Sequence, residues 1–467
     1  MNSDRGYAPI NDYGLIGDCR TAALVSQGGS IDWWCAPRFD SGSCFGRLLD
    51  HERGGHCSIV PADEGATAFQ RYVDHTLVLE TIFRGPAGGA CVLDCLALPD
   101  GGPDAEPVEP GPPTGAVVAA ATTSLPETEG GERNWDYRYA WIRYSTFAAR
   151  CLADLGHDVE ADRFRRFIER SAAGHVGDLR IAYGVGGERR LIESEVDLEG
   201  YRGARPVRIG NGAAEQTQLD ALGMLVDLTW RWHRRGHSPD DDHWRFVVDV
   251  VDRAAEAWKE PDRGLWEWRD EPKHFVHSKV MCWAAVDRGL HLAKECLRKA
   301  PERRWGRARD EIREAVEREG FDAERGVFVQ AFGSKSADGA LLLLPLVDFV
   351  AFDDPRMLAT VDFVRDELSW NGLLRRYDGD DGLPGREGAF LACSFWLAEC
   401  LACQGRHQEA REAFDAALAT ASELGIFSEE HDPERDEAYG NVPQALTHLS
   451  HISAALALSG SPPDTAR

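Results

Sequence analysis

The chain has 467 residues, 43% of them hydrophobic, and a formal charge of -26 from 52 basic and 78 acidic side chains. That length and apolar content can bury a large core, in one big domain or a few smaller ones, which excludes global disorder. The acidic average field repels polyanions, so no nucleic-acid partner is expected and a neutral or cationic ligand fits better.

The opening residues, M-N-S-D-R-G-Y-A-P, hold no apolar run of the secretory kind. The longest apolar run, A-L-L-L-L-P-L-V-D-F-V at 340–350, is broken by Pro345 and Asp348 and is too short to span a bilayer. No membrane partner is therefore expected. Twelve cysteines in so long a chain do not make a small disulfide scaffold, and Cys400 and Cys403 sit in a helical pattern as buried thiols. The expectation is a cytoplasmic protein.

Residues 10–98 are rich in glycine and in short alternating runs. A-A-L-V-S-Q-G-G-S-I-D-W-W reads as strand, turn, strand; T-L-V-L-E-T-I-F and A-C-V-L-D-C-L-A-L read as strands about the turn G-P-A-G-G. A loop with five prolines follows at 101–114, then a strand-like G-A-V-V-A-A-A-T-T. This β-region is taken as residues 1–126.

The texture becomes helical from Trp141 onward. An apolar stripe at 219–236 ends in glycine, and similar segments cover about 243–258, 277–299, 304–319, 338–350, 355–368, 386–404, 407–423 and 441–459. Many helices of this length must bury their stripes against one another, and a toroid of paired helices over 127–467 is one way to do so. No fixed sequence period supports a repeat array.

Three stretches between helices are too rich in polar and aromatic groups to be plain turns. N-W-D-Y-R-Y-A-W-I-R-Y-S (134–145) holds Trp135, Tyr137, Tyr139, Trp141 and Tyr144 beside two arginines and Asp136. The second is G-L-W-E-W-R-D-E-P-K-H-F-V-H-S-K (264–279), and the third is G-I-F-S-E-E-H-D-P (425–433) with Y-G-N-V-P-Q-A (439–445). Aromatic rings stack on the C–H faces of sugars, and Arg, Asp and Glu clamp hydroxyls. Two carboxylates across a shared cleft divide acid and base duty in glycosidic cleavage. Glu267 and Glu429 are offered for this, with Glu271 and Glu430 as competitors. Trp266 and Trp268 flank Glu267, and apolar neighbours raise a carboxyl pKa; Glu429 is expected to stay ionised.

Other motifs carry less. His274 with His277 and His448 with His451 lack the companion pattern of a metal site. G-V-G-G at 184–187 precedes no dinucleotide-binding helix, and D-G-D-D-G at 378–382 lacks the spaced glutamate of a calcium loop. No cofactor or metal is expected. G-N-G-A-A-E-Q-T-Q-L-D at 210–220 opens a helix and is either a cleft rim or simple capping.

These stretches together resemble the family 15 inverting α-glycoside hydrolases, which include glucoamylases, glucodextranases and a bacterial trehalase group. The resemblance is carried by 13–40, 134–143, 200–216, the Glu267 loop with H-S-K-V-M-C-W, D-D-G-L-P-G-R-E-G-A-F (380–390), and S-E-E-H-D with G-N-V-P-Q-A. It implies a mainly α fold, an (α/α)6 barrel behind an antiparallel β-sandwich. It also implies release of a terminal glucose or glucose-like unit from a small α-linked saccharide, with inversion. Glu267 would be the general acid and Glu429 the base, and Trp141, Arg143, Trp266 and Arg376 would line the sugar pocket. An inverting pair stands ≈ 6.5–9.5 Å apart to admit water.

Two departures from the family pattern stand out. The pattern runs W-x-R-D, but here it is W-I-R-Y, so Tyr144 replaces the acid that grips the outer hydroxyls. A phenol donates once and accepts weakly where a carboxylate accepts twice. Tyr144 thus fills the pocket, or marks a modified sugar or altered chemistry, or Asp136 compensates. The β-region also falls short of a full sandwich after residue 98. Exposed strand edges need cover, from the barrel or from a second copy in a homodimer.

Overall fold

A computed structural model describes residues 6–63, 65–98, 114–172, 179–379, 381–383, 385 and 387–460. Most of the proline-rich loop expected at 101–114 lies outside the described residues.

Among the described residues ten α-helices follow one another: α1 (Ile142–Asp154), α2 (Asp158–Ala172), α3 (Asp220–Arg234), α4 (Asp241–Ala257), α5 (Val276–Glu295), α6 (Glu302–Glu319), α7 (Pro355–Leu368), α8 (Leu391–Cys403), α9 (His407–Leu418) and α10 (Ala445–Leu458). A 3-10 segment, Gly339–Val347, stands between α6 and α7. The expected helix at 338–350 tightens to this segment because Pro345 has no N–H to give and Asp348 ends it in the left-handed region. α1 and α2 fill a stretch for which no helix was delimited in the sequence.

The packing closes a ring. α1 packs on α3, α3 on α5, α5 on the 3-10 segment, that segment on α8, α8 on α10, and α10 back on α1. The remaining helices cover the outside: α2 on α1, α4 and α6 on α5, α7 on the 3-10 segment, α9 on α8. The sequence encodes this division. α5 and α8 are buried nearly all round, whereas α4 and α6 bury one stripe, Trp244, Val247, Val250, Val251 and Ala254 in the former. Two of the outer helices, α4 and α7, carry conventional caps. Asp240 accepts from the N–H groups of Asp242 and His243, and Asp354 caps α7 ahead of Pro355. A Cβ on Gly223 would stand 2.2 Å from the Met281 carbonyl oxygen, so only glycine lets α3 and α5 approach so closely.

The β-region holds two antiparallel sheets. One joins β1 (Tyr13–Gly17), β2 (Ala22–Ser26), β3 (Ser30–Cys35) and β4 (Ser43–Phe45), with β5 (Cys57–Ser58) also on β3. The other is β6 (Thr67–Tyr72), β7 (Leu79–Gly85) and β8 (Gly88–Asp94). The first sheet is fastened to the barrel. Tyr13, Leu24 and Trp33 share a core with Tyr201, Val207, Ile426 and Val442, and the Trp33 indole donates to the Ala121 carbonyl at 2.8 Å. Among the described residues, no helix is long and apolar enough to cross a membrane.

Candidate active site

Segments that precede the inner helices meet at one end of the ring, around a cleft of about 510 Å³ counted out to its open mouth. Glu267 and Glu429, 162 positions apart, both line it, together with Arg143, Tyr144, Trp266 and Arg376. Short strand pairs set the geometry. Ala140–Trp141 pairs with Ala182–Tyr183 just before α1, and Ala389–Phe390 pairs with Glu430–Asp432 just before α8. In an extended chain neighbours point to opposite sides. Glu429 therefore enters the cleft while Glu430 turns behind it, where its carboxylate accepts from the Gly388 N–H at 2.8 Å.

Glu267 sits in the left-handed backbone region at φ 58°, a conformation that a non-glycine residue holds only when its surroundings require it. Its Oε1 accepts from the Trp141 indole at 2.7 Å, and an Arg143 nitrogen lies 3.9 Å away. Its tryptophan neighbours are occupied elsewhere: Trp266 donates to Asp338 at 2.7 Å, and Trp268 packs on Phe275 and Tyr377.

Glu429 is 1% exposed. Burial pushes its carboxyl well above the usual range, the negative Glu127 pushes it further, and Arg376 and a hydrogen bond from Tyr137 pull it back. The expectation of a plainly ionised Glu429 is thus opposed by its surroundings. A carboxylate so destabilised takes up a proton more readily, at the cost of a smaller ionised fraction near neutrality.

Behind Glu429 lies a layered set of charges. Arg376 meets Glu387 through Nε at 2.6 Å and Glu127 at 3.4 Å; Arg133 holds Asp381 with two bonds of 2.7 Å and also reaches Glu387. Glu127 is pushed up to about 7, by burial first and then by Glu387. Glu127, Glu387 and Glu430 each offer an oxygen within 4.8 Å of the others, close enough to share a cation. Two of the three already face a guanidinium. Arg143 is braced in turn by Gln218 at 2.7 Å and Asp220 at 3.3 Å.

Two expected substrate contacts fall elsewhere. Trp141 does not line the cleft; it stands one layer back, 1% exposed, and acts on Glu267. Asp136 is fully buried and does not face the cleft. Both its oxygens hold Arg138, at 2.9 and 2.7 Å, and one also accepts from the Gly210 N–H, so it pins the loop rather than compensating for Tyr144. Glu271 is exposed and outside the cleft lining. Tyr144 lines the cleft edge-on to Trp141, with ring centroids 5.9 Å apart. Burial and the negative Glu429 hold its phenol protonated. Glu127, Arg133 and Arg269 line the same cleft and were not singled out from sequence; Tyr137 and Asp381, also in the lining, lie in stretches that were. Glu127, in P-E-T-E, had no aromatic neighbour to mark it.

Residues 105–456 match Glycosyl hydrolases family 15, and residues 4–97 match the trehalase-like N-terminal family. The chain belongs to glycosyl hydrolase family 15. It is 34% identical over 609 residues to a trehalase of Mycolicibacterium smegmatis, covering 96% of this chain and 91% of that one. It is 42% identical over 344 residues to a trehalase of Thermoplasma acidophilum, covering 73% and 59%. The fold is shared with a solved wild-type glycosidase (TM-score 0.58, 22% identity, 75% of this chain and 93% of that chain). It is also shared with a bacterial glucoamylase solved with acarbose (TM-score 0.56, 14% identity, 75% and 54%).

Proposed function

We propose that the protein hydrolyses trehalose with inversion, Glu267 acting as general acid and Glu429 as general base. The observation that carries this reading is the meeting of these two glutamates, from loops far apart in sequence, across one cleft lined by Arg143, Trp266 and Arg376. The trehalases to which the chain is similar supply the substrate. Glu429 takes a proton from a water as its oxygen bonds to the anomeric carbon. The bond from that carbon to the bridging oxygen breaks, and Glu267 gives its proton to the departing sugar. Trp141 and Arg143 hold the Glu267 carboxyl in place through the step.

Proton NMR during trehalose hydrolysis tests this. Inversion yields one β-glucose and one α-glucose per molecule cleaved; only α-glucose at early times would exclude it. Glu267→Gln and Glu429→Gln are each expected to lower kcat by about 10²–10⁴-fold, the range for losing one acid–base group. Either variant at wild-type rate would exclude the assignment.

Tyr144 in the cleft favours a second reading, in which the sugar lacks or repositions an outer hydroxyl. Tyr144→Asp distinguishes the two. Increased cleavage of trehalose means that the phenol obstructs a glucose site, whereas decreased cleavage means that the site is built around it. Unchanged rates on every α-disaccharide would remove Tyr144 from the sugar pocket.

A further inference from the structure

We propose that the protein forms a two-fold symmetric dimer in which β8 pairs antiparallel with β8 of a second copy, centred on Cys91.

β8 is the terminal strand of its sheet and is exposed along nearly its whole length. It pairs with β7 at seven successive positions, Leu79↔Asp94 to Gly85↔Gly88, with no register shift. Its free edge is therefore straight. Proteins that must stay apart blunt such edges with lysine, proline or a bulge. Residues 88–93, G-G-A-C-V-L, carry none of these and no charge at all.

Among the described residues the outer face of the sheet is largely exposed and mixes apolar with charged side chains. Phe69, Ile82 and Cys91 form one row across it, and Arg71, Glu80 and Leu93 form the next. Phe69 is 50% and Leu93 59% exposed. The alignment with the M. smegmatis trehalase runs over 609 residues and this chain has 467, so that relative holds residues with no counterpart here. The two family matches in this chain end at 97 and begin at 105, immediately after β8.

The strand is complementary to itself. With Cys91 on the two-fold axis, Val92 faces Ala90 and Leu93 faces Gly89 of the second copy, a large residue against a small one each time, and Asp94 meets Gly88. No like charges oppose. Such a contact is isologous and closes at two chains, which limits growth into fibres.

The full chain under reducing conditions is expected to sediment as a dimer at micromolar concentration. Cys91→Lys places two like charges opposite each other on the axis and, being at an exposed position, spares the fold. It should halve the mass while leaving the helical circular dichroism unchanged. Diamide, which takes up the two thiol hydrogens, should link two chains through Cys91. That product should vanish in Cys91→Ser and persist in Cys95→Ser. A wild-type monomer, a dimer that survives Cys91→Lys, or a crosslink that survives Cys91→Ser would each overturn the proposal.

Discussion

The indole N–H of Trp141 donates to Oε1 of Glu267 at 2.7 Å, joining residues 126 positions apart at the edge of the cleft. This bond holds the carboxyl from behind, since Trp141 itself does not line the cleft.

Trp141→Phe keeps the ring and removes the donor. A hydrogen bond to a charged group contributes roughly 1.5–3 kcal/mol. If most of that is expressed in the transition state, kcat falls about 10- to 100-fold with KM nearly constant. A change in KM alone would place Trp141 against the substrate instead.

The acid limb of kcat/KM should lie above the ordinary glutamate pKa of about 4.3, because burial and Glu127 raise Glu429. The sign follows from the base role. Glu429 works ionised, so activity appears as pH rises through its raised pKa. Glu127→Gln removes a neighbouring negative charge and should move the limb to lower pH. A limb that stays put or moves up would show that Glu127 does not act on the base.

Gly440 has φ +76°, and a Cβ there would lie 2.6 Å from the Glu429 Cβ. Gly440→Ala therefore strains the backbone by about 1–2 kcal/mol and displaces the base. A shift of about 1 Å in a reacting group can cost on the order of 100-fold in rate. We expect that loss in kcat with a modest fall in Tm. Wild-type kcat in this variant would show that Glu429 tolerates displacement.

His277 is buried in the barrel, and desolvation lowers its pKa to about 4. The unfolded chain binds this proton from about pH 6.5 downward, the folded chain only near 4. Stability is therefore full above about 6.5 and falls as pH drops toward 4, by up to about 3 kcal/mol from this residue. His277→Gln should flatten that part of the Tm–pH curve. An unchanged slope would assign the acid sensitivity to other groups.

Much of the site was legible because its loops interrupt helical periodicity with aromatic and charged residues. Glu267 between two tryptophans and Glu429 in S-E-E-H-D stand out from any amphipathic stripe. Deciding between Glu429 and Glu430 needed the strand at 430–432, since alternation alone sends one of them inward. Trp141 and Asp136 were read as substrate contacts because a motif shows residue types but not depth; both are fully buried supports. α2 carried a readable stripe in Ala161, Phe164 and Ile168, whereas α1 was obscured by the polar Arg143 and Tyr144 in its first turn. Glu127 and Glu387 both raise the Glu429 pKa; the first sits unmarked in P-E-T-E, and the second lies inside the 380–390 stretch without being singled out there.

The closed ring has a further consequence for charge. α1, α3, α5, the 3-10 segment, α8 and α10 all begin beside the cleft, with Arg143, Asp220, Phe275, Asp338, Phe390 and Leu446 at or near their first turns. Each helix start carries a partial positive charge from its unpaired amide groups. Their macrodipoles converge on a cleft lined by Glu127, Glu267, Asp381 and Glu429 beside four arginines, so the barrel backbone itself adds positive potential where those carboxylates gather.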